Sequence, residues 1–261
     1  MARQGWFARL AMVSGVLVML ALVVGATQAT QAPAPPPPLP AATDTAGLLT
    51  AFRGVEVASV SDAMEQLYGK RVYMSHRMRP LAFSGKRLAG TALTVLLKKE
   101  ENSEGAPAVQ GMLTAIDEGA PDSVYVMVVE DGANIAGIGG LMGTAMHTRG
   151  FAGAVIDGGV RDTAYLQRLG FLVYSTGIVP STSVKHYRFG GSNIPVTCDG
   201  VRVEPNDIIV GDNDGVAVIP RAQALDVLKA AQELDFKEHS TVPYIEKYKS
   251  IIKAVAQFGR I

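Results

Sequence analysis

Short apolar runs alternate with amphipathic segments through the middle of the chain. The apolar runs, rich in Val, Leu, Ile and Ala, occupy residues 88–97, 123–129, 152–157 and 171–176. Apolar residues have helical spacing at 108–119 and 163–170, and a glycine loop leads into a predicted helix at 137–150. Continuous apolar runs are typical of strands buried on both faces, and helices follow such strands in parallel sheets. The pattern therefore predicts an α/β domain with a parallel core sheet.

The pattern changes after Gly177, where the apolar runs become shorter and turn signals separate them. The segments "DG", "EPND" and "DNDG" between residues 199 and 215 are typical of hairpins and tight turns. They predict an antiparallel C-terminal part, which makes the sheet mixed. Pro220 stands where a helix can begin, and residues 221–238 have the spacing of a C-terminal amphipathic helix.

A further helix is predicted near the start of the folded part, in the stretch "SVSDAMEQLYG". Ser61 or Asp62 has the side chain of a good N-cap, and Gly69 is suited to end a helix. We therefore expect a helix that begins close to residue 62 and ends at residue 69.

The first part of the chain has the pattern of an export signal. Residues 1–32 begin with Arg3 and Arg9, continue through 18 uncharged residues from 10 to 27, and end in small residues. This is typical of a secretory signal peptide or, if uncleaved, of a membrane anchor. Residues 33–43 form a Pro-rich linker. The prediction is a periplasmic or secreted domain, with tethering to a membrane through the N-terminal segment as the alternative.

Composition limits the expected partners and excludes an internal disulfide. The chain has 24 basic and 24 acidic side chains, so no nucleic acid is expected as a partner. Cys198 is the single cysteine, which excludes an internal disulfide and is expected to be a small core residue. We assign residues 44–238 to the main domain. Residues 239–261 are expected to form an amphipathic helical tail that packs on a neighbouring subunit.

The candidate chemistry lies where the third apolar run ends, at Arg161 and Asp162. One interpretation is that Asp162 caps the helix that follows and that Arg161 is solvated. The other places both side chains beside the glycine loop 139–143, at the carboxyl ends of parallel strands where α/β sheets bind ligands. There a carboxylate can hold a hydrated divalent ion, and a guanidinium with backbone N–H groups suits a small 2-oxo acid.

The glycine loop also has some features of a dinucleotide site. Gly137, Gly139 and Gly143 have the spacing G-x-G-x-x-x-G, and Asp157 follows at the distance of a ribose-binding acid. The spacing departs from the fingerprint, and seven residues separate the preceding strand from Gly137. These two departures weigh against a dinucleotide.

The chain resembles the RraA-like family in four stretches: "SVSDAM", "GGLMGTAMHTRGFAGAVIDGGVRD", "LGFLVYSTGIVPS" and "IPVTCDGVRVEPNDIIVGDNDGVAVIP". This family comprises regulators of ribonuclease activity and 4-hydroxy-4-methyl-2-oxoglutarate aldolases. The resemblance covers roughly residues 50–238. It implies a swivelling β/β/α-type domain that assembles as a homotrimer or hexamer, with active sites between subunits.

For the aldolase branch, the resemblance implies a divalent-metal-dependent (class II) lyase. It would cleave 4-hydroxy-4-methyl-2-oxoglutarate-like 2-oxo acids to pyruvate and could also decarboxylate oxaloacetate. Asp162 would hold Mg²⁺ or Mn²⁺, and Arg161 would bind the substrate and its developing enolate. The backbone of Gly139, Gly140, Leu141 and Met142 would hold the pyruvyl carboxylate.

Two positions depart from the aldolase pattern. Gly140 and Tyr165 stand where aldolase members carry acidic residues that support the metal's water shell. Asp157, Asp214 or an acid such as Glu238 of a neighbouring subunit are the candidates to compensate. A non-catalytic oligomeric binding or regulatory protein of the same family is therefore the alternative function.

Overall fold

The structure, a computed structural model, describes residues 34–82 and 85–259. The predicted signal peptide or membrane anchor, residues 1–32, lies outside the described residues. The described part begins within the predicted linker. Across the described ranges, no helix combines the length and the apolar character needed to cross a membrane.

Seven α-helices and eleven strands alternate along the described part of the chain. The helices are α1 (Thr45–Arg53), α2 (Val57–Tyr68), α3 (Gln110–Glu118), α4 (Gly140–Thr148), α5 (Thr163–Leu169), α6 (Ala224–Tyr248) and α7 (Ile251–Phe258). The first six strands are β1 (Arg79–Pro80), β2 (Leu88–Lys99), β3 (Ser123–Val129), β4 (Ala136–Ile138), β5 (Gly153–Val160) and β6 (Val173–Ile178). The remaining strands are β7 (Tyr187–Ser192), β8 (Val196–Cys198), β9 (Val201–Val203), β10 (Ile208–Gly211) and β11 (Val216–Ile219).

The parallel core predicted from the apolar runs is confirmed. Strands β2, β3, β5 and β6 are parallel neighbours in that order. Strand β3 is buried along almost its whole length because helices α3, α4 and α5 cover one face of this core, while the β8–β9 hairpin lies over the other. The carboxyl ends of these strands therefore meet at one edge of the sheet.

The predicted antiparallel C-terminal part is confirmed as well. Strands β10 and β11 pair with each other, and β10 pairs with β2, all antiparallel. Strands β8 and β9 form a separate hairpin, with Asp199 and Gly200 at its turn in left-handed backbone conformations. The result is a nine-stranded mixed sheet, which matches the predicted fold class.

The predicted start of the second helix is wrong by about one turn. Helix α2 begins at Val57, so Ser61 and Asp62 lie inside it and neither is the N-cap. Val57 and Val60, which precede this polar pair, are buried on the same helix as Met64, which follows it. The apolar stripe therefore begins before the polar pair. Burial of this stripe outweighs the capping preference of two polar residues. The predicted end is confirmed, because Gly69 follows the helix with φ 61°.

Helix α6 forms a layer with α1 and α2 against strands β10 and β11. Helix α6 runs from Ala224 to Tyr248, so the predicted boundary between residues 238 and 239 lies inside this helix. Helix α7 folds back, with Phe258 against Tyr244 at 4.7 Å between ring centroids. Ile251 and Ile252 are exposed on α7, whereas Ala254 is buried.

The prediction for Cys198 is confirmed. The side chain is fully buried in the core between the hairpin and the sheet. Burial, with lesser effects of Asp157 and Asp199, raises the pKa of the thiol well above its ordinary value. A thiol kept protonated in this way is a packing residue and not a nucleophile.

Candidate active site

Arg161 and Asp162 follow strand β5 directly, at the edge where the parallel strands end. Strand β4 pairs with the end of β5, with Ile138 opposite Val160. The Arg161 N–H donates to the Ile138 carbonyl at 3.1 Å. This pairing sets the first turn of α4 beside the Arg-Asp pair, as the second interpretation of the sequence required.

The Asp162 side chain does not cap its own helix. It occupies the N-cap position of α5, but it makes no side-chain capping bond there. Its Oδ2 instead accepts the N–H of Gly140 at 2.8 Å, across the gap to α4. The Asp162 backbone is left-handed, with φ 57°, a conformation that Asp and Asn tolerate better than most residues. The local fold therefore directs this carboxylate away from α5 and toward the glycine loop.

Arg161 is held at one end of its guanidinium. Its Nη1 donates to the Ser181 carbonyl at 3.0 Å, and its Nε lies 3.9 Å from Asp162 Oδ2. The Ser181 hydroxyl donates to the Asn134 carbonyl and accepts the Ala136 N–H, which fixes this loop to the start of β4. The side chain is 46% exposed. The guanidinium is thus oriented while part of it still faces solvent.

Gly139, which precedes the first turn of α4, allows the Arg-Asp pair to approach closely. A Cβ at position 139 would lie 2.7 Å from Asp162 Oδ2 and 3.0 Å from Arg161 Cγ. The Gly140 N–H is already occupied by Asp162. The N–H groups of Leu141 and Met142 belong to the first turn, where a helix offers no internal acceptor. They are the amides that a carboxylate ligand can use.

The two departures from the aldolase pattern touch each other. A Cβ at Gly140 would lie 3.1 Å from Tyr165 Cδ1, so the tyrosine ring covers the place where an acidic side chain would begin. The Thr144 hydroxyl donates to the Gly140 carbonyl at 2.8 Å and lies 3.0 Å from the Tyr165 hydroxyl. Since Thr144 uses its own proton in this way, Tyr165 donates to Thr144 Oγ1. No motif in the sequence marks Thr144.

Two cavities meet at the Arg-Asp pair. One, of about 740 Å³, lies between α4, α5 and residues 178–180, and Tyr165 and Arg168 line it. The other, of about 510 Å³, lies toward α3 and residues 182–184. Arg161, Asp162, Gly140 and Leu141 line both. The predicted site residues are therefore brought together on one concave surface.

The acids proposed to compensate for Gly140 lie elsewhere in this chain. Asp157 accepts the Asp199 N–H at 2.7 Å and so faces the β8–β9 hairpin. Asp214 lies in the β10–β11 turn, beside a different cavity. Glu238 is on α6. The dinucleotide interpretation also fails, because Gly137 lies inside strand β4 and Asp157 is occupied.

Asp162 lines both cavities and fits a hydrated divalent ion, whereas Asp117 lines only the cavity toward α3. It is 51% exposed, and only Oδ2 accepts the Gly140 N–H, so Oδ1 is left to face the cavity. Mg²⁺ binds in this way, through one or two carboxylates, with water and ligand oxygens completing its shell. Within residues 34–82 and 85–259, three potential ligands come together at Glu56, Asp235 and His239, away from this site. There Arg87 already pairs with Glu56 at 3.2 Å.

Comparison with known proteins decides the family. A family model described as RraA-like, Aldolase/RraA, matches residues 57–218. The chain belongs to the RraA-like family. The match spans every element that forms the site, from α2 to β11.

RraA-like relatives carry two kinds of name. A protein of Halalkalibacterium halodurans, provisionally named a 4-hydroxy-4-methyl-2-oxoglutarate aldolase, is 31% identical over 71% of this chain and 82% of its own. A protein of Deinococcus radiodurans with the same provisional name is 34% identical over 52% of this chain and 81% of its own. The structure of Streptomyces coelicolor RraAS2, described as an unusual member of the RNase ES inhibitor RraA family, covers 78% of this chain and 98% of its own at 22% identity, with a TM-score of 0.67. That likeness shows the RraA-like fold.

Proposed function

We propose that the protein is a divalent-metal-dependent aldolase that cleaves 4-hydroxy-4-methyl-2-oxoglutarate-like 2-oxo acids to pyruvate. The observation that supports this most is the convergence of Arg161, Asp162 and the first turn of α4 on one concave surface. The relatives named as aldolases support the reaction class. Decarboxylation of oxaloacetate needs the same stabilised enolate and belongs to the proposal.

In the proposed reaction the C4 hydroxyl gives its proton to solvent water and becomes a carbonyl as the C3–C4 bond of the substrate breaks. The electron pair of that bond becomes the enolate of pyruvate, which then takes a proton from water at C3 to give pyruvate. The Leu141 and Met142 amides hold the substrate carboxylate at the positive end of α4. Arg161 places its free N–H groups on the oxygen where negative charge develops. Asp162 holds the divalent ion, which, when bound, withdraws electrons from the 2-oxo group as a Lewis acid.

The test is a coupled assay of pyruvate release from 4-hydroxy-4-methyl-2-oxoglutarate and from oxaloacetate, with and without Mg²⁺ or Mn²⁺. We expect metal-dependent release by the wild type, and a loss of at least about 100-fold in Arg161→Ala, the scale of one oxyanion-stabilising group. Arg149→Gln, which removes the same charge from the end of α4, is the matched control and should keep full activity. Wild-type release no faster than that of Arg161→Ala removes the aldolase proposal.

The second candidate is a non-catalytic binding or regulatory protein. It is favoured by the Gly140–Tyr165 contact, which replaces acidic groups with an aromatic ring. This candidate predicts that oxalate, a stable analogue of the pyruvate enolate, binds without any turnover of either substrate. Calorimetry with oxalate beside the pyruvate assay separates the two functions.

We propose that the protein assembles as a homotrimer or hexamer. Apolar side chains at the rim of the 740 Å³ cavity are open to solvent in one chain, with Leu141 91% and Ile178 64% exposed. Exposed apolar side chains grouped at one site are typical of interfaces. Sedimentation should give three or six times the mass of one chain, and a monomer would refute the proposal.

We also propose that the protein is exported, because residues 1–32 have the pattern of a signal peptide. Fractionation followed by N-terminal sequencing tests this. A mature chain that starts after Ala26, Ala29 or Ala32 supports cleavage. A full-length chain in the membrane fraction supports the anchored alternative, and a full-length chain in the cytoplasm contradicts export.

A further inference from the structure

A separate cavity of about 470 Å³ lies beside the turn of the β8–β9 hairpin. Its walls come from the segment before β1 and from the hairpin turn: Arg71, Tyr73, Ser75, His76, Arg77, Asp199, Gly200 and Val201. None of these residues lines either cavity at Arg161. The proposed reaction makes no use of this place.

Arg77 is held in a fixed orientation at this cavity. Its Nη2 donates to Asp199 Oδ1 at 2.7 Å, and the Asp199 carboxylate has no exposed surface. Asp199 Oδ2 accepts the Ser75 N–H at 2.6 Å, so both carboxylate oxygens are used within the protein. Its Nε donates to Ser75 Oγ at 3.4 Å, and the side chain remains 60% exposed. A buried carboxylate that orients an exposed guanidinium prepares it to bind an anion.

Arg71 adds a positive charge that pairs with no carboxylate in the part of the chain that the structure describes. Its guanidinium lies 4.4 Å from the centroid of the Tyr73 ring, and within the described ranges no Asp or Glu oxygen is within 4.0 Å of it. Tyr73 is 41% exposed and lines the cavity. Stacking on the ring limits the motion of the guanidinium, so less entropy is lost when it binds an anion.

Several hydrogen-bond donors line this cavity, on different residues of the segment. Ser75 Oγ accepts the Arg77 backbone N–H at 3.2 Å and the Arg77 Nε–H at 3.4 Å, which leaves the serine proton to donate. His76 stands between these residues in the chain and lines the same cavity. One guanidinium fork satisfies a carboxylate, whereas donors from several directions suit a tetrahedral oxyanion.

We infer that the cavity formed by Arg71, Tyr73, Ser75, His76 and Arg77 binds a phosphate group. The group can belong to a free phosphate ester or to a lipid headgroup, since both present the same oxygens. Because Arg77 neutralises the Asp199 carboxylate, that carboxylate repels a bound anion less. This inference does not depend on the aldolase proposal.

Calorimetry with inorganic phosphate and with glycerol 3-phosphate tests the free form. Flotation with phosphatidylcholine vesicles, with and without phosphatidylglycerol, tests the lipid form. Arg71→Gln should weaken binding at least about ten-fold, the scale of one charge-assisted hydrogen bond. Arg149→Gln is the matched control for charge and should bind as the wild type does. Arg77→Lys keeps a cation for Asp199 and should also bind more weakly, with an unchanged melting temperature.

Heat of binding with inorganic phosphate or glycerol 3-phosphate assigns the site to free phosphates. Binding only to the vesicles that contain phosphatidylglycerol assigns it to lipid phosphate. Lack of response in both arms by the wild type overturns the inference. Equal losses in Arg71→Gln and Arg149→Gln overturn it as well, because they indicate general charge attraction. Pyruvate release by Arg71→Gln should equal that of the wild type, so failure here is distinguishable from failure at Arg161.

Discussion

Replacement of Asp162 separates its role in the fold from its role in chemistry. Asn has nearly the same shape, tolerates the left-handed backbone at φ 57°, and can still accept the Gly140 N–H. Asn has no charge with which to hold a divalent ion. Asp162→Asn should therefore abolish metal-dependent activity while the protein remains folded. Ala at the same position should lose both roles.

The size of the stability change follows from the contacts. Asp162→Ala removes a hydrogen bond to a charged acceptor, worth roughly 1.5–3 kcal/mol when buried. It also places a residue that disfavours φ above zero in that conformation, at about 1 kcal/mol. Because the carboxylate is 51% exposed, solvent reduces the first contribution, and we expect a total of about 2 kcal/mol. For a domain of this size that lowers Tm by about 4–8 °C, whereas Asp162→Asn should change it by no more than about 2 °C.

Differential scanning calorimetry measures both variants, and the pyruvate assay is run on the same samples. The reasoning predicts an inactive Asp162→Asn that melts with the wild type and an inactive Asp162→Ala that melts several degrees lower. An active Asp162→Asn would refute the metal-holding role. An Asp162→Asn that melts as low as Asp162→Ala would show that the charge itself stabilises the fold.

Three further predictions follow from close contacts and burial. Gly139→Ala places a Cβ 2.7 Å from Asp162 Oδ2, so activity should fall at least about ten-fold, measured as kcat/KM with melting as control. Gly140→Asp alone should not tighten Mn²⁺ binding, measured by calorimetry, because its Cβ meets the Tyr165 ring. The double variant Gly140→Asp with Tyr165→Ala should bind Mn²⁺ more tightly. Equal Mn²⁺ affinities of the single and double variants would contradict this prediction. Burial raises the pKa of Asp207 above 3.8, so the native state holds its proton more tightly than the unfolded chain. The contribution of Asp207 to stability should therefore fall as pH rises from 3.8 through that raised pKa. Urea unfolding of the wild type and of Asp207→Asn over this pH range should differ by that contribution.

Much of the fold could be predicted because its strongest signals are local. The apolar runs that became β2, β3, β5 and β6 needed only burial on both faces to be identified. The hairpin turn at Asp199 and Gly200 followed from residues that tolerate positive φ. The start of α2 was missed because tertiary burial of Val57 and Val60 extended the helix beyond its polar signals.

The candidate site could be predicted in part. Position in the chain was enough to place Arg161 and Asp162 near the glycine loop, since parallel strands end at one edge. Left-handed backbone at Asp162 and the bond from its Oδ2 to Gly140 depend on the pairing of β4 with β5, which spacing does not reveal. The contact of Gly140 with Tyr165 joins two positions that the sequence marked only as separate departures.

The most direct test of the central claim is a crystal structure of the protein with Mn²⁺ and oxalate, read by anomalous scattering. We expect an ion bound directly to an Asp162 carboxylate oxygen, with oxalate between Arg161 and the first turn of α4. An ion found only at Glu56, Asp235 and His239, or oxalate bound away from Arg161, would contradict it.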